Sequence, residues 1–297
     1  MGYKYLDYPG KSRRPSSKAI GKKLGLAERT VRLRIKRMER EGFIQYYAAI
    51  PNLSLFGLPI ACLFSFQVDD IRKKQHALQQ LKKTDHVIEI ADMIGGNFGA
   101  TIAVSSEQDV EQVTHKLTEL THTSKVVHSS NRWFTSPRFS LDKLDWRLIK
   151  ALQYDALRST KEIATELGVS NRMTDYRINR LLESRAVVIR AVISARDRQG
   201  ILFYNLTLSL DPGMKEKIMN VVSERFKSEI FLVLTPPGPL LALGLFATSI
   251  GEAEDNLLDS LSIPGVKTGN LSFFKNDVAL QRPSWIDKFV EKKILSA

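Results

Sequence analysis

KAIGKKLGLAERTVRLRIKRMEREGFIQYYAAI, starting at Lys18, and KEIATELGVSNRMTDYRINRLLESRAVVIRAVI, starting at Lys161, are one pattern written twice, 143 places apart. Ile20 falls on Ile163, Leu24 on Leu167, Gly25 on Gly168, Arg29 on Arg172, Arg34 on Arg177, Ile35 on Ile178, Arg37 on Arg180 and Ile50 on Ile193. Each copy reads as a short helix, a glycine turn, a longer helix and a β-rich strand pair. In the second copy Ser159 and Thr160 are placed to cap the short helix. Gly168 ends it, because glycine takes the left-handed conformation without strain, and Ser170 caps the next. The preceding LDKLDWRLIKALQYDA spaces Leu144, Leu148 and Leu152 as an amphipathic helix. Helix, helix-turn-helix and extended VVIRAVI together spell a winged helix-turn-helix. In the first copy only MGYKYLDY and the loop PGKSRRP precede the pattern. Two explanations are open: a natural start farther upstream, or a stunted first helix.

Working outward, the stretches after each copy also correspond. Strand 58–68, helix 71–83, a strand pair 87–104 folded around IGGNFG, helix 107–120 and strand 125–133 follow the first. After the second come 201–210, 212–227, 230–248 around PPGP, 252–261 and 267–274, in the same order. Two βαββαβ units result, each expected as a four-stranded antiparallel sheet with two helices on one face. The fold expected is α+β, in two tandem repeats of a winged helix-turn-helix and a ferredoxin-like domain. The divisions are 1–54 and 139–196 for the winged helices, and 55–138 and 197–297 for the α+β domains. The closing helix SWIDKFVEKKIL, packing through Trp285, Phe289 and Ile294, is assigned to the last of these.

The formal charge of +12 is distributed unevenly over the 297 residues. Residues 1–50 hold 13 Lys/Arg against 4 Asp/Glu, and 141–200 hold 12 against 8, while 51–140 balance at 9 each and 201–297 hold 10 against 11. Positive charge therefore coincides with the repeat, as expected of local contacts with a polyanion. At about 100° per residue the first long helix puts Val31, Ile35 and Met38 on one stripe. Arg29, Arg32, Lys36 and Arg40 fall opposite. Such a row suits the phosphates flanking a major groove, and arginine also reaches guanine O6 and N7. The DNA-binding set read here is Ser17, Lys18, Arg29, Thr30, Arg32, Lys36, Arg37 and Arg40, with Arg172, Asn179 and Arg180 from the second copy. Ser16, Ser17 and Lys18 open a helix whose amides suit a phosphate. Leu33 shares the cationic face, either as a contact to a thymine methyl or as an exposed leucine. The second copy presents Asp175, Tyr176 and Glu183 beside Arg172 and Asn179, so it is expected to bind weakly, to read bases, or to act as a spacer.

These residues carry a resemblance. LDWRLIKALQYDALRSTKEIATELGVSNRMTDYRINRLLESRAVVIRAVI, from Leu144, resembles the DNA-binding domain of the Lrp/AsnC family. The likeness rests on Leu144-Asp145, Arg158-Ser159, Ile163-Ala164, Leu167-Gly168, Arg177 and Leu181. Arg14 with Ser16, Leu24-Gly25, Val31, Arg34 and Glu41-Gly42-Phe43-Ile44 repeat it. Family members are typically half this length, dimerise through the α+β (RAM-type) domain, and bind amino acids near a glycine-containing turn. The resemblance thus implies two fused protomers, as an internal pseudo-dimer or a homo-oligomer, with double-stranded DNA as partner and an amino-acid-like effector near Gly95, Gly96 and Asn97. The family turn usually pairs glycine with an aspartate. Here Asn97 stands in one copy and Pro237-Gly238-Pro239 in the other.

Some relatives of this two-part architecture are siroheme decarboxylases, which makes an enzyme the alternative. The histidines His76, His86, His115, His122 and His128 are scattered, with His122 and His128 the candidates to meet a porphyrin. No nucleotide-binding loop, carboxylate pair or nucleophile triad is legible, so the expectation is a non-enzyme without cofactor or metal. Cys62, the single cysteine, sits in LPIACLFSF and reads as an inert packed strand residue. No run of about 18 apolar residues suggests a membrane span, and the N-terminus lacks a secretory signal, so a cytoplasmic location is expected.

Overall fold

The computed structural model describes residues 16–123, 125–131, 140–193, 200–275, 279–280 and 285–296. Along the chain run α1 (Ser17–Leu24), α2 (Glu28–Arg40), β1 (Ile44–Pro51), a 3-10 turn (Leu53–Phe56), β2 (Ile60–Gln67), α3 (Ile71–Lys83), β3 (Val87–Asp92), β4 (Asn97–Val104), α4 (Glu107–Thr121) and β5 (Lys125–Asn131). The second half supplies α5 (Lys143–Leu152), α6 (Thr160–Leu167), α7 (Asn171–Glu183), β6 (Val187–Ile193), β7 (Leu202–Leu210), α8 (Lys215–Arg225), β8 (Ile230–Leu234), β9 (Leu240–Ala247), α9 (Ile250–Leu261), β10 (Val266–Phe273), β11 (Ala279–Leu280) and α10 (Trp285–Ser296). This is the tandem of winged helix-turn-helix and ferredoxin-like domains. Residues 1–15, where an opening helix of the first copy would stand, lie outside the described residues.

The chain divides into two compact units by kind of domain rather than by half. One holds both helix-turn-helix segments with α10, and the other holds both α+β segments.

In the helix-turn-helix unit, local chemistry sets the helices. Ser159 and Glu162 form a reciprocal capping box on α6, and Gly168 closes that helix at φ +70. Ser170 caps α7, and Asp142 with Asp145 forms a second box on α5. Buried Leu148, Ile149, Ile163, Ala164, Ile178 and Leu181 make the three-helix core. The strand pair expected within each copy is corrected. Each copy offers one strand, and β1 pairs antiparallel with β6 of the other copy, Tyr47 opposite Ala191 and Pro51 opposite Val187. Asn52 extends the join, its backbone N–H donating to Ala186 O (2.8 Å) and its side-chain amide to Arg185 O (3.0 Å). A lone strand leaves a row of peptide groups unmet, and the equivalent strand of the other copy meets them.

A second correction concerns α10, assigned from sequence to the last α+β domain. It packs on α5 instead. Trp285 and Phe289 close with Trp146 and Phe56 into an aromatic cluster with ring centroids 5.3–6.0 Å apart. Asp287 accepts hydrogen bonds from Gln153 (2.8 Å) and Tyr154 (2.7 Å), and Lys150 pairs with Glu291 (2.9 Å).

In the α+β unit the strand orders are β10-β7-β9-β8 and β11-β3-β4-β2-β5. The sheet of the first α+β domain so gains a fifth strand beyond the expected four, because β11 from the far end of the chain pairs with β3, Ala279 opposite Ile90. Ile94 N–H to Phe273 O and Lys275 N–H to Asp92 O, both 2.8 Å, continue this tie. Alternation along the strands sorts the faces. Cys62, Phe64 and Phe66 of β2 are buried with Leu81 of α3 and Leu117 of α4. Tyr204, Leu206 and Leu208 of β7 are buried with Val222 of α8 and Ala253 of α9. The opposite faces of the two sheets, which mix polar and apolar side chains, line a common cleft.

Candidate nucleic-acid interface

The interface begins with what α2 keeps and what it leaves outside. Val31 is buried, with Ile35 and Met38 half-buried beside it, while Arg29, Arg32, Leu33, Lys36 and Arg40 are exposed. Among the described residues, Arg29, Arg32, Lys36 and Arg40 make no hydrogen bond or ion pair. Of the nearby carboxylates, Glu28 is exposed at the start of α2 and pairs with none of them among the described residues, and the next two are committed elsewhere. Glu39 accepts a hydrogen bond from the Tyr47 hydroxyl (2.9 Å), and Glu41 takes the Arg37 guanidinium at 2.8 Å. That bond, with the Glu41 charge, raises the Arg37 pKa still further. Arg37, one of the residues read as DNA-binding, is therefore a paired cation, although an exposed one.

Ala27 caps α2 without a side-chain hydrogen bond, whereas Ser16 accepts from Ala19 N–H (3.2 Å) at the start of α1. Lys18 is exposed, and Ser17 and Thr30 are half-buried. One cation escaped the sequence reading. Arg34 is exposed and, among the described residues, unpaired. Its counterpart Arg177 holds Asp142 (2.6 Å) and Asp145 (3.1 Å). The repeat itself carried the signal, since the position aligned with Asp145 is Gly2.

The second copy is a different electrostatic object. Arg172, Asp175, Tyr176 and Asn179 are exposed on α7, and the Thr160 hydroxyl donates to Asp175 (2.7 Å). Arg180 requires a correction. Its guanidinium is turned inward, 2.6 Å from the carboxylate of Asp145, which is fully buried. A buried carboxylate is costly unless paired, and Arg177 and Arg180 together supply the pairing. Arg180 is thus structural, whereas Arg172 and Asn179 keep their outward positions.

The turn read as an effector site is tied down from within. Lys74, buried on α3, pairs with Asp92 at 2.6 Å and donates to Met93 O and to Gly95 O (2.9 Å). Gly95 has φ +72, and a Cβ on Gly96 would lie 2.5 Å from Val68 O. Both glycines are therefore required by backbone geometry. Asn97 opens β4 opposite Gln67. In the second α+β domain Lys215 makes the matching bond to Pro236 O at 2.6 Å.

Of the histidines, His122 is the exposed C-cap of α4, and His128 lies in β5 with its ring 5.9 Å from Phe64. His76 meets Gln80 (3.2 Å), His115 lies 3.6 Å from Glu119, and burial lowers the pKa of His86. Among the described residues no three His, Cys, Asp or Glu side chains are grouped to hold a metal, and no helix is long and apolar enough to cross a membrane.

Residues 141–182 match the AsnC-type helix-turn-helix domain, and residues 12–45 match a winged helix-turn-helix DNA-binding domain. A curated relative, the HTH-type transcriptional regulator Ptr1 of Methanocaldococcus jannaschii, is 29% identical over 106 residues, which is 36% of this chain and 70% of that protein. The resemblance to the Lrp/AsnC family is upheld: the second helix-turn-helix is of AsnC type, and the first is of the winged DNA-binding kind. Among solved structures, siroheme decarboxylase NirDL is similar over 99% of this chain and 96% of its own, at 15% identity and a TM-score of 0.59. Its co-complex with an iron-uroporphyrin III analogue is similar over the same shares with a TM-score of 0.57.

That likeness corrects the expectation that the chain is not an enzyme. The full tandem architecture is one on which a decarboxylase is built, so missing triads, carboxylate pairs and nucleotide loops do not mark it as non-catalytic. Function lives in sites grafted on a fold, and such sites need none of those motifs.

Proposed function

We propose that this chain is a DNA-binding transcriptional regulator of Lrp/AsnC type in which α2 enters the major groove and supplies most of the affinity. The observation that carries the reading is the exposed row Arg29, Arg32, Lys36 and Arg40, unpaired among the described residues. Desolvating a cation already held by a carboxylate gains little, whereas an unpaired cation gains the full phosphate attraction and releases condensed counterions. Ser17, Lys18, Thr30 and Arg37 border this face, and Arg172 and Asn179 are the polar contacts that the second copy offers. Asp175 and Glu183 repel phosphate, so the second copy contributes weakly. The α+β domains serve assembly, as an internal pseudo-dimer or in a larger homo-oligomer, in the cytoplasm. An amino-acid-like effector near Gly95, Gly96 and Asn97 is weakened by Lys74, which already occupies the turn carbonyls. A genome-wide map of retained DNA fragments tests the reading: a shared sequence motif supports it, and retention without sequence preference refutes it.

A second reading, a siroheme decarboxylase-like enzyme, is favoured by the likeness to NirDL along the whole chain. Siroheme is a polycarboxylate, and its recognition calls for several cations. The residues lining the cleft between the sheets include no lysine or arginine. An optical spectrum after incubation with siroheme separates the readings, since an enzyme of this kind retains the tetrapyrrole through gel filtration.

A further inference from the structure

Two β-sheets that face each other ordinarily interdigitate apolar side chains. The α+β unit departs from this. Its sheets turn their apolar faces to the helices and line, with the opposite faces, a cleft of about 250 Å³. From the second sheet, alternation along β7 and β10 brings Asn205, Thr207 and Ser209 beside Ser272, Asn270 and Thr268, each opposite its neighbour in the ladder. The first sheet contributes Ser65, Gln67, Asn97 and Ser129. These ten carry hydroxyls or carboxamides and are set among apolar Leu63, Met93, Val127, Leu234 and Leu240, with His128 beside them.

On the second sheet's side the hydrogen-bonding capacity is unspent. Among the described residues, the six side chains of the second sheet make no hydrogen bond to any other residue. Ser129 is 2% exposed, and its Oγ is buried without a partner. It lies opposite Leu63 in the β2–β5 ladder, and both line the cleft, while neighbouring Phe64 is buried in the core against the helices. A buried hydroxyl with no acceptor costs free energy that a bound partner restores. The lining holds no Lys, Arg, Asp or Glu, so a zwitterion or polyanion would leave its charges uncompensated.

We propose that this cleft is a binding site for a small uncharged molecule rich in hydroxyl groups, of monosaccharide to nucleoside size. The volume is near the lower end of ligand pockets, about 300 Å³. Neighbouring donors and acceptors on adjacent strands match a ring that carries several hydroxyls, each able both to donate and to accept. Neither DNA binding nor catalysis is needed for this site.

The test is calorimetric titration of the full chain with D-ribose, D-glucose and adenosine, and in parallel with L-leucine and L-methionine. Saturable binding of at least one neutral probe is expected, with no binding of the amino acids. Thr207→Val with Asn270→Leu, which keeps volume while deleting two polar partners, is expected to weaken that binding roughly tenfold or more. Ser129→Ala is expected to weaken it while leaving thermal stability equal or higher, because it also removes the orphaned hydroxyl. Binding of an amino acid alone overturns the proposal, as does silence from all three neutral probes at about 10 mM. Unchanged neutral-probe affinity in a folded Thr207→Val, Asn270→Leu variant overturns it too, by placing the site elsewhere.

Discussion

Replacing Arg29, Arg32 and Lys36 by alanine removes three cations that are exposed on α2 and, among the described residues, bound to nothing. The helix itself survives, since alanine favours helix and none of the three packs in the core. If each cation neutralises one phosphate, the slope of log K against log salt shrinks by about 0.9 per residue, so by about 2.7 in all. Raising salt from about 50 to about 200 mM then costs the parent chain about 40-fold more affinity than the variant. Fluorescence anisotropy with a duplex carrying the selected motif, titrated at several salt concentrations, reads this directly. Arg37→Ala is the internal control. Its side chain is as exposed, yet already spends its charge on Glu41, so the slope is expected to change by much less. A triple variant with the parent slope, or an Arg37→Ala variant with as large a loss, refutes the assignment of α2 to the phosphates.

Other consequences follow from buried charge. Asp145→Ala leaves Arg180 facing an empty position and Arg177 with Asp142 alone, and should destabilise the helix-turn-helix unit by about 3 kcal/mol in urea titration. Lys74→Met strands Asp92 and unties the turn at Gly95, with an expected loss of about 3–5 kcal/mol; a neutral result would show that the ion pair is dispensable. Burial pushes the Cys62 thiol up to about 12, so an aromatic disulfide reagent should label the native protein only as fast as it unfolds. Burial raises the Asp142 carboxyl, but the Arg177 hydrogen bond and charge, with the α5 cap amides, outweigh it and leave the folded value lowered. Its stabilisation is therefore complete above the unfolded value of about 3.9 and is lost as pH falls through the lower folded one. Melting temperatures below about pH 4 should accordingly fall less steeply in Asp142→Asn than in the parent.

The repeat made most of this architecture legible, because helix caps and apolar periodicity are local signals. Ser159, Gly168 and Ser170 sit where the sequence places them for that reason. Long-range pairing carries no such mark. Ile44–Pro51 reads as a strand, but nothing in it says that its partner lies in Val187–Ile193, and the two-residue β11 is too short to show a pattern. Helix α10 is amphipathic, which fixes that it packs without fixing where. In the site, the cationic face of α2 was readable from helical spacing. The inward turn of Arg180 was not, since it depends on the burial of Asp145, which nothing in the sequence marks. Arg34 shows the reverse case, where comparing the copies residue by residue points to a cation that is unpaired among the described residues. The polar cleft stayed hidden because alternating Ser, Thr and Asn on β7 and β10 looks like an ordinary solvated face until a second sheet stands opposite.

The pairing of β1 with β6 has an effect on operator grammar. A homodimer reads both halves of its operator with identical residues and is bound to inverted symmetry. Here both helix-turn-helix segments lie in one chain and are clasped intramolecularly through β1 and β6, so each drifts under its own selection and no dilution separates them. The divergence between α2 and α7 is what such release permits, and on the proposed reading its counterpart is a lopsided operator, strong on one arm and lax on the other.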